Sequence, residues 1–146
     1  MTDDYDDHVA LTAALRAWAA GSYRDEAAVE LLIAHRAWLA RRDFRRACLC
    51  AEGGYAWLDA DRAARIADGD ETAALPASSG ELRILAIVAQ LAGQLGSRPL
   101  GELVTGLDGH NMRLVLDAIA HASGWHERGD RHLVTGHLDG RTGEHP

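Results

Sequence analysis

The chain has 146 residues, a formal net charge of −7, and 47% hydrophobic residues. A chain of this length typically buries roughly 70% of the surface that it exposes when unfolded, which is enough for one hydrophobic core. The acidic balance argues against a protein that coats nucleic acid without regard to sequence, because that binding depends on many Lys and Arg side chains neutralising phosphates. We therefore expect a single domain over residues 1–146.

The sequence favours a cytoplasmic protein. Its two cysteines, Cys48 and Cys50, would point to different faces of a helix, so a disulfide between them is not expected. The chain does not open with a charged segment followed by an apolar run, and no window approaches 18 uninterrupted apolar residues. We expect no membrane contact and no cofactor.

In chain order, the first half predicts four helices, over residues 7–20, 23–41, 43–51 and 55–67. The second of them has a stripe of residues at helical spacing, namely Ala28, Leu31, Leu32, His35, Trp38 and Leu39. His35 is interpreted as a hydrogen-bonded core residue rather than a catalyst. Gly53-Gly54 is expected to end the third helix, and Trp57, Leu58 and Ile66 are the larger apolar residues of the fourth.

Residues 69–77 are acidic, carry Pro76, and predict a loop between an N-terminal lobe, residues 1–68, and a C-terminal lobe, residues 78–134. A helix is expected to start where Ser78 and Glu81 have the spacing of a capping box. Its wide apolar face is typical of a central helix and is made of Ile84, Leu85, Val88, Leu91, Ala92 and Leu95.

Two more helices are predicted after that central helix. Pro99 suits the first turn of a short helix over residues 100–106, because its missing N–H costs nothing there. Asp108 is a natural N-cap for a longer helix that stops at Gly124. The residues expected to face inward on that helix are Met112, Val115, Leu116 and Ile119.

Residues 125–134 can form two short strands around an Arg-Gly-Asp turn. With Leu100, Leu103 and Leu107 around the preceding turn and Gly124-Trp125 before the strands, residues 78–134 resemble a winged helix-turn-helix domain. The resemblance implies a small β-hairpin as the wing, with Arg128 and Arg131 on phosphates. It also implies a recognition helix whose groove-facing residues are His110, Asn111, Arg113 and Asp117. Winged helices also serve as protein-docking modules. A recognition helix that carries one Arg and Asp117 fits protein docking better than it fits DNA binding.

The chain is also similar to small uncharacterised bacterial proteins. They share a Leu-Leu-Ile-x-His-x-x-Trp-Leu segment, here residues 31–39, and a Thr-Gly-Leu-Asp-x-x-Asn segment, here residues 105–111. This resemblance spans most of the chain and implies no function.

Residues 31–50 form a basic island with five Arg against Asp43 alone, the Arg residues being Arg36, Arg41, Arg42, Arg45 and Arg46. Like charges four residues apart on a helix repel one another unless acids or a partner compensate them. The acidic flanks of the neighbouring helices can neutralise the island. The alternative is a binding site for phosphate, nucleic acid or an acidic protein.

Eight histidines raise the hypothesis of a metal site. His121 follows Asp117 by one helical turn, a spacing that can place two ligands on one face, and His126, His132 and His137 lie downstream. A polar helix face followed by a flexible tail, residues 135–146, explains the same residues. The sequence also lacks a nucleophile elbow and a phosphate-binding glycine loop.

These observations predict an all-α protein, mainly a helical bundle, with a winged-helix-like C-terminal half and a small β-hairpin. The leading hypothesis is a non-enzymatic regulatory or adaptor protein that acts through protein contacts and self-associates. The alternatives are a DNA-binding transcriptional regulator and a small metal-binding protein or enzyme.

Overall fold

The computed structural model describes residues 2–70 and 72–128 of the chain, and within them it has seven helices and one two-stranded antiparallel hairpin. The predicted fold class, mainly helical with a small β-hairpin, is confirmed, and the hairpin lies at residues 49–58 and not at the predicted wing. In chain order the elements are α1 (Thr2–Ala19), α2 (Tyr23–His35), α3 (Arg42–Cys48), β1 (Leu49–Glu52), β2 (Tyr55–Leu58), α4 (Ala60–Ala67), α5 (Ser79–Leu91), α6 (Leu100–Thr105) and α7 (Gly109–Ala122). Among these residues no helix combines the length and apolarity needed to cross a lipid bilayer.

Helix α5 is the centre of the fold. The Ser78 hydroxyl oxygen accepts a hydrogen bond from the backbone N–H of Glu81 at 3.2 Å, so the predicted N-cap is in place. All six residues from 84 to 89 are buried, because α5 contacts α2, α4, α6 and α7. The predicted face is wrong at Leu95, which is 96% exposed since the helix ends at Leu91. Helices from both predicted lobes thus share one core.

Helix α2 is shorter than predicted. It ends at His35 because Arg36 has a φ of 71°, and the N–H of Ala37 bonds back to the carbonyl oxygen of His35 at 2.9 Å. The chain therefore reverses in a tight γ-type turn instead of continuing to residue 41. Trp38 and Leu39 are fully buried, but they lie in the turn after α2 and not on a helical stripe.

The turn at Arg36 stores backbone strain, since a side chain at positive φ costs of order 1–3 kcal/mol. We expect Arg36→Gly to raise the free energy of unfolding by about 1 kcal/mol, because glycine adopts this conformation without a steric penalty. Arg42→Gly is the control. Because residue 42 is exposed in α3, this change should lower the free energy of unfolding by up to about 1 kcal/mol. Chemical denaturation measures both, and a loss of stability in Arg36→Gly would contradict the strain.

Residues 49–58 form a hairpin, so the helices predicted over 43–51 and 55–67 are wrong at residues 49–51 and 55–59. Gly53 and Gly54 have φ values of 59° and 85°, which is the backbone of a two-residue type I′ turn. Glycine is favoured at both positions, so this pair reverses a β-ladder rather than ending a helix. Trp57 and Leu58, expected on a helix, lie on β2, which packs against α1.

Helix α7 begins and ends close to its predicted bounds. The Asp108 carboxylate accepts a hydrogen bond from the N–H of Asn111 at 2.8 Å, as expected of an N-cap. The buried residues are Val115 and Ala118, whereas Ile119, predicted to face inward, is 38% exposed. The reason is that α7 packs mainly against α2, so the line of buried residues on α7 passes through Ala118 and not through Ile119.

The first strand of the predicted wing is not formed, because Trp125–Arg128 is a 3-10 helix that continues the chain from α7. The second strand, Arg131 and the tail of residues 135–146 lie outside the described residues.

Candidate functional site

The hairpin leaves one edge of β1 open. Its two-residue turn makes Glu52 and Tyr55 a mutually hydrogen-bonded pair, and bonded pairs alternate along an antiparallel ladder. A 2.7 Å bond from the N–H of Asp59 to the carbonyl oxygen of Cys48 follows the same alternation. The N–H and C=O of Ala51 therefore point away from β2. Ala51 is exposed, and in the described part of the chain no third strand pairs with β1.

The hairpin also exposes aromatic side chains on its outer face. Along β2 the residues alternate, so Ala56 and Leu58 are buried against the core while Tyr55 is 77% and Trp57 36% exposed. Cys50 lies opposite Trp57 in the ladder and so shares its face. An exposed aromatic face next to an open strand edge is a typical surface for protein contact.

Arg41 of the basic island has a structural role. Its guanidinium donates to both carboxylate oxygens of Asp43, at 2.9 and 2.6 Å, and to the carbonyl oxygen of Pro76. It also lies over the ring of Trp38, 5.0 Å from the centroid. The hydrogen bond with Arg41 lowers the pKa of Asp43 below its ordinary value. Arg41 therefore fastens the 36–41 turn and is not a free phosphate ligand.

The other arginines of the island divide into two groups. Arg45 is mostly buried and lies 3.8 Å from a carboxylate oxygen of Asp7, so an acidic flank of α1 supplies one counter-charge. Arg36, Arg42 and Arg46 are exposed, and none of the three forms an ion pair within the described residues. The remaining basic surface is thus these three side chains.

The predicted recognition residues all lie on α7, with His110, Asn111 and Arg113 in its N-terminal half and Asp117 in its C-terminal half. His110, Arg113 and Asp117 are exposed and Asn111 is half-buried. A concavity of about 400 Å³ at the start of the helix is lined by Gly109, His110, Met112 and Arg113. Arg128 is the last residue of the 3-10 helix that follows α7.

A carboxylate–histidine pair that the sequence did not predict ties α7 to α2. Nε2 of His121 lies 2.8 Å from one carboxylate oxygen of Glu26, and the other oxygen accepts the N–H of Gly21 at 2.9 Å. Both side chains are about three-quarters buried, and the ring of Tyr23 meets the imidazole edge-on with centroids 6.2 Å apart. The structure thus pairs His121 with Glu26, while its predicted partner Asp117 is exposed.

This pair borders an open cleft of about 190 Å³ between α1, α2 and α7, across which Arg16 bonds Glu30 at 2.7 Å. The described lining consists of Arg16, Ala19, Ala20, Glu26, Val29, Glu30 and His121. A carboxylate can orient a histidine as a general base, but this lining offers no Ser, Thr or Cys for it to activate. The arrangement is suited to holding three helices together.

His35 is half-buried, and its Nδ1 atom has no hydrogen-bond partner within the described residues, which corrects the expected hydrogen-bonded core residue. Burial lowers its pKa. No three His, Cys, Asp or Glu side chains in the described ranges are grouped to hold a metal ion, and His132 and His137 lie outside those ranges.

The two cysteines differ in reactivity. Cys48 is fully buried at the end of α3, and burial raises the pKa of its thiol to about 12. Cys50 is half-buried on the outer face of the hairpin, and both thiols are free. We expect iodoacetamide to modify Cys50 in the folded protein and Cys48 only after unfolding, since the thiolate is the reactive form. Peptide mass spectrometry with and without guanidinium checks this, and equal labelling of both in the native protein would contradict it.

Compared with protein-family models, curated protein sequences and solved structures, the chain has no significant match in any of the three.

Proposed function

We propose that this chain is a non-enzymatic regulatory or adaptor protein that works through protein contact and associates with a second copy of itself through the hairpin. The observation that carries the proposal is the open edge of β1 beside the exposed aromatic face. The two free cysteines support a cytoplasmic location, where thiols stay reduced.

The open edge favours strand addition. An unpaired edge presents N–H and C=O groups at the spacing that another strand requires, and natural proteins usually blunt such edges with Pro, Lys or a covering element. Ala51 does none of this, because its side chain is small and uncharged. Tyr55 and Trp57 would add apolar burial next to the new backbone bonds.

A second copy is the occupant that fits the edge best. An antiparallel strand pair is two-fold symmetric, so one edge can pair with itself without any other complementary surface. The division of the chain into acidic and basic zones supplies complementary charges between copies. A four-residue edge is short, so the expected dimer is weak and depends on concentration.

Light scattering over a concentration series tests the proposal. The weight-average mass should rise from 15.7 kDa toward twice that value. Ala51→Pro removes the outward N–H without removing a bond of the hairpin, and should shift the dissociation constant upward by about tenfold or more. Ala51→Thr keeps that N–H and is the matched control. A monomer at every concentration would overturn self-association.

A DNA-binding regulator is the second candidate, supported by the order α5, α6, α7 and by the exposed His110 and Arg113 at the start of α7. It predicts binding to duplex DNA that weakens steeply with salt and is reduced in Arg113→Ala. Fluorescence anisotropy with duplex DNA at low salt tests this candidate. If the protein has no affinity for DNA at low salt, the candidate is removed.

A further inference from the structure

We infer that two copies join antiparallel along β1, about a two-fold axis that passes between their Cys50 residues, to form one four-stranded sheet. The inference rests on the proposed self-association and adds its register and its charged contacts.

The outward backbone groups allow two registers. The carbonyl oxygen of Leu49 points outward, but its N–H is already donated to the carbonyl oxygen of Arg45 at the end of α3. With Cys50 on the axis, the N–H of Ala51 donates to the carbonyl oxygen of Leu49 of the partner subunit, and the symmetry-related bond makes two. With Ala51 on the axis, two backbone bonds also form, so hydrogen bonding alone does not choose between the registers.

Charge favours the register with Cys50 on the axis. Glu52 then lies opposite Cys48 of the partner subunit, next to the end of the partner's α3, where Arg46 is exposed. Glu52 and Arg46 are both exposed and neither forms an ion pair within the described residues. The dimer therefore gains two symmetric Glu–Arg contacts. With Ala51 on the axis, Glu52 instead faces Cys50 of the partner subunit, which carries no positive charge.

The same register continues the outer face across the interface. Trp57 and Cys50 are neighbours in one copy, so the sheet would present a row of Trp57, Cys50 and their two symmetry mates. Opposed residues in a non-hydrogen-bonded antiparallel pair have Cα atoms about 4.5 Å apart, which is within the range that a disulfide spans.

A disulfide between the two Cys50 thiols consequently reports the register. With oxidised glutathione as the oxidant, one Cys50 thiolate attacks a glutathione sulfur and releases one reduced glutathione. The thiolate of the other Cys50 then attacks the Cys50 sulfur of that mixed disulfide, forming the Sγ–Sγ bond and releasing a second reduced glutathione. Two cysteine thiols are oxidised and one glutathione disulfide is reduced.

The first test is cross-linking of the full chain in a glutathione redox buffer, followed on non-reducing gels. The wild type and Cys48→Ala should form covalent dimers, and Cys50→Ser should not. The double variant Cys50→Ser/Ala17→Cys, with an exposed thiol on α1, measures random collision. Cross-linking through Cys50 should be at least about tenfold faster than that control, because pairing raises the effective concentration of the thiols.

The second test exchanges the charges. Glu52→Arg should weaken association about threefold or more, and Glu52→Arg/Arg46→Glu should restore it. A dimer by light scattering that neither cross-links through Cys50 nor responds to the exchange would overturn this register and leave self-association standing. A protein that stays monomeric would overturn both.

Discussion

Trp38→Ala is expected to lower the free energy of unfolding by about 3–5 kcal/mol, the range for removing a large aromatic side chain from a core. Trp38 is fully buried, packs on Phe44 with ring centroids 5.2 Å apart, and donates its indole N–H to the carbonyl oxygen of Glu81 at 2.9 Å. The guanidinium of Arg41 also lies over its ring. Loss of Trp38 would therefore free the turn after α2 from the start of α5.

Two control variants separate the contributions to that loss. Trp38→Phe keeps an aromatic ring but removes the N–H, which leaves the carbonyl of Glu81 without this donor and adds a void, so an intermediate loss is expected. Trp18→Ala removes a Trp that is 40% exposed and should cost clearly less than Trp38→Ala. Denaturant unfolding measures all three. Equal losses at Trp18 and Trp38 would contradict the role given to Trp38.

Leu85→Ala is expected to cost about 2–5 kcal/mol, because Leu85 is fully buried in α5, the helix that contacts most others. Leu95→Ala is the matched control from the same predicted apolar face. Its side chain is 96% exposed, so the expected change is within about 0.5 kcal/mol. Similar losses at the two positions would place Leu95 in the core and contradict the end of α5 at Leu91.

The parts of the fold that local chemistry determines were predictable from the sequence. Ser78 and Asp108 were expected to cap α5 and α7, and both do so through side-chain oxygens. A cap depends on three or four neighbouring residues, so its pattern is complete within a short segment. The mainly helical class followed from Ala-rich segments with helical apolar spacing.

The sequence predictions are wrong where one segment is compatible with two local structures. Gly53-Gly54 is compatible with the end of a helix and with a type I′ turn, and tertiary packing of β2 on α1 decides for the turn. The stripe of α2 continued through Trp38 in the sequence. The bonds of Trp38 and Arg41 to α5 and to the loop before it instead hold a turn at Arg36.

The candidate sites depend on residues that are distant in sequence or on backbone groups. Glu26 and His121 are 95 residues apart, so no local pattern joins them. The open edge of β1 resides in the N–H and C=O of Ala51, which side-chain patterns do not reveal. The alternation of residues 55–58, with Tyr55 and Trp57 on one face, together with the Gly53-Gly54 pair before it, indicates the hairpin in the sequence.

Amide hydrogen exchange at Ala51, measured at low and high protein concentration, tests directly whether two copies pair along β1. This N–H should exchange rapidly in the monomer and more slowly as concentration rises, because a strand of the second copy accepts its hydrogen bond. The N–H of Cys50, bonded within the hairpin, should be protected at both concentrations and serves as the internal reference. If exchange at Ala51 is equally fast at both concentrations while the mass shows a dimer, the copies do not meet at β1 and the proposed docking surface is wrong.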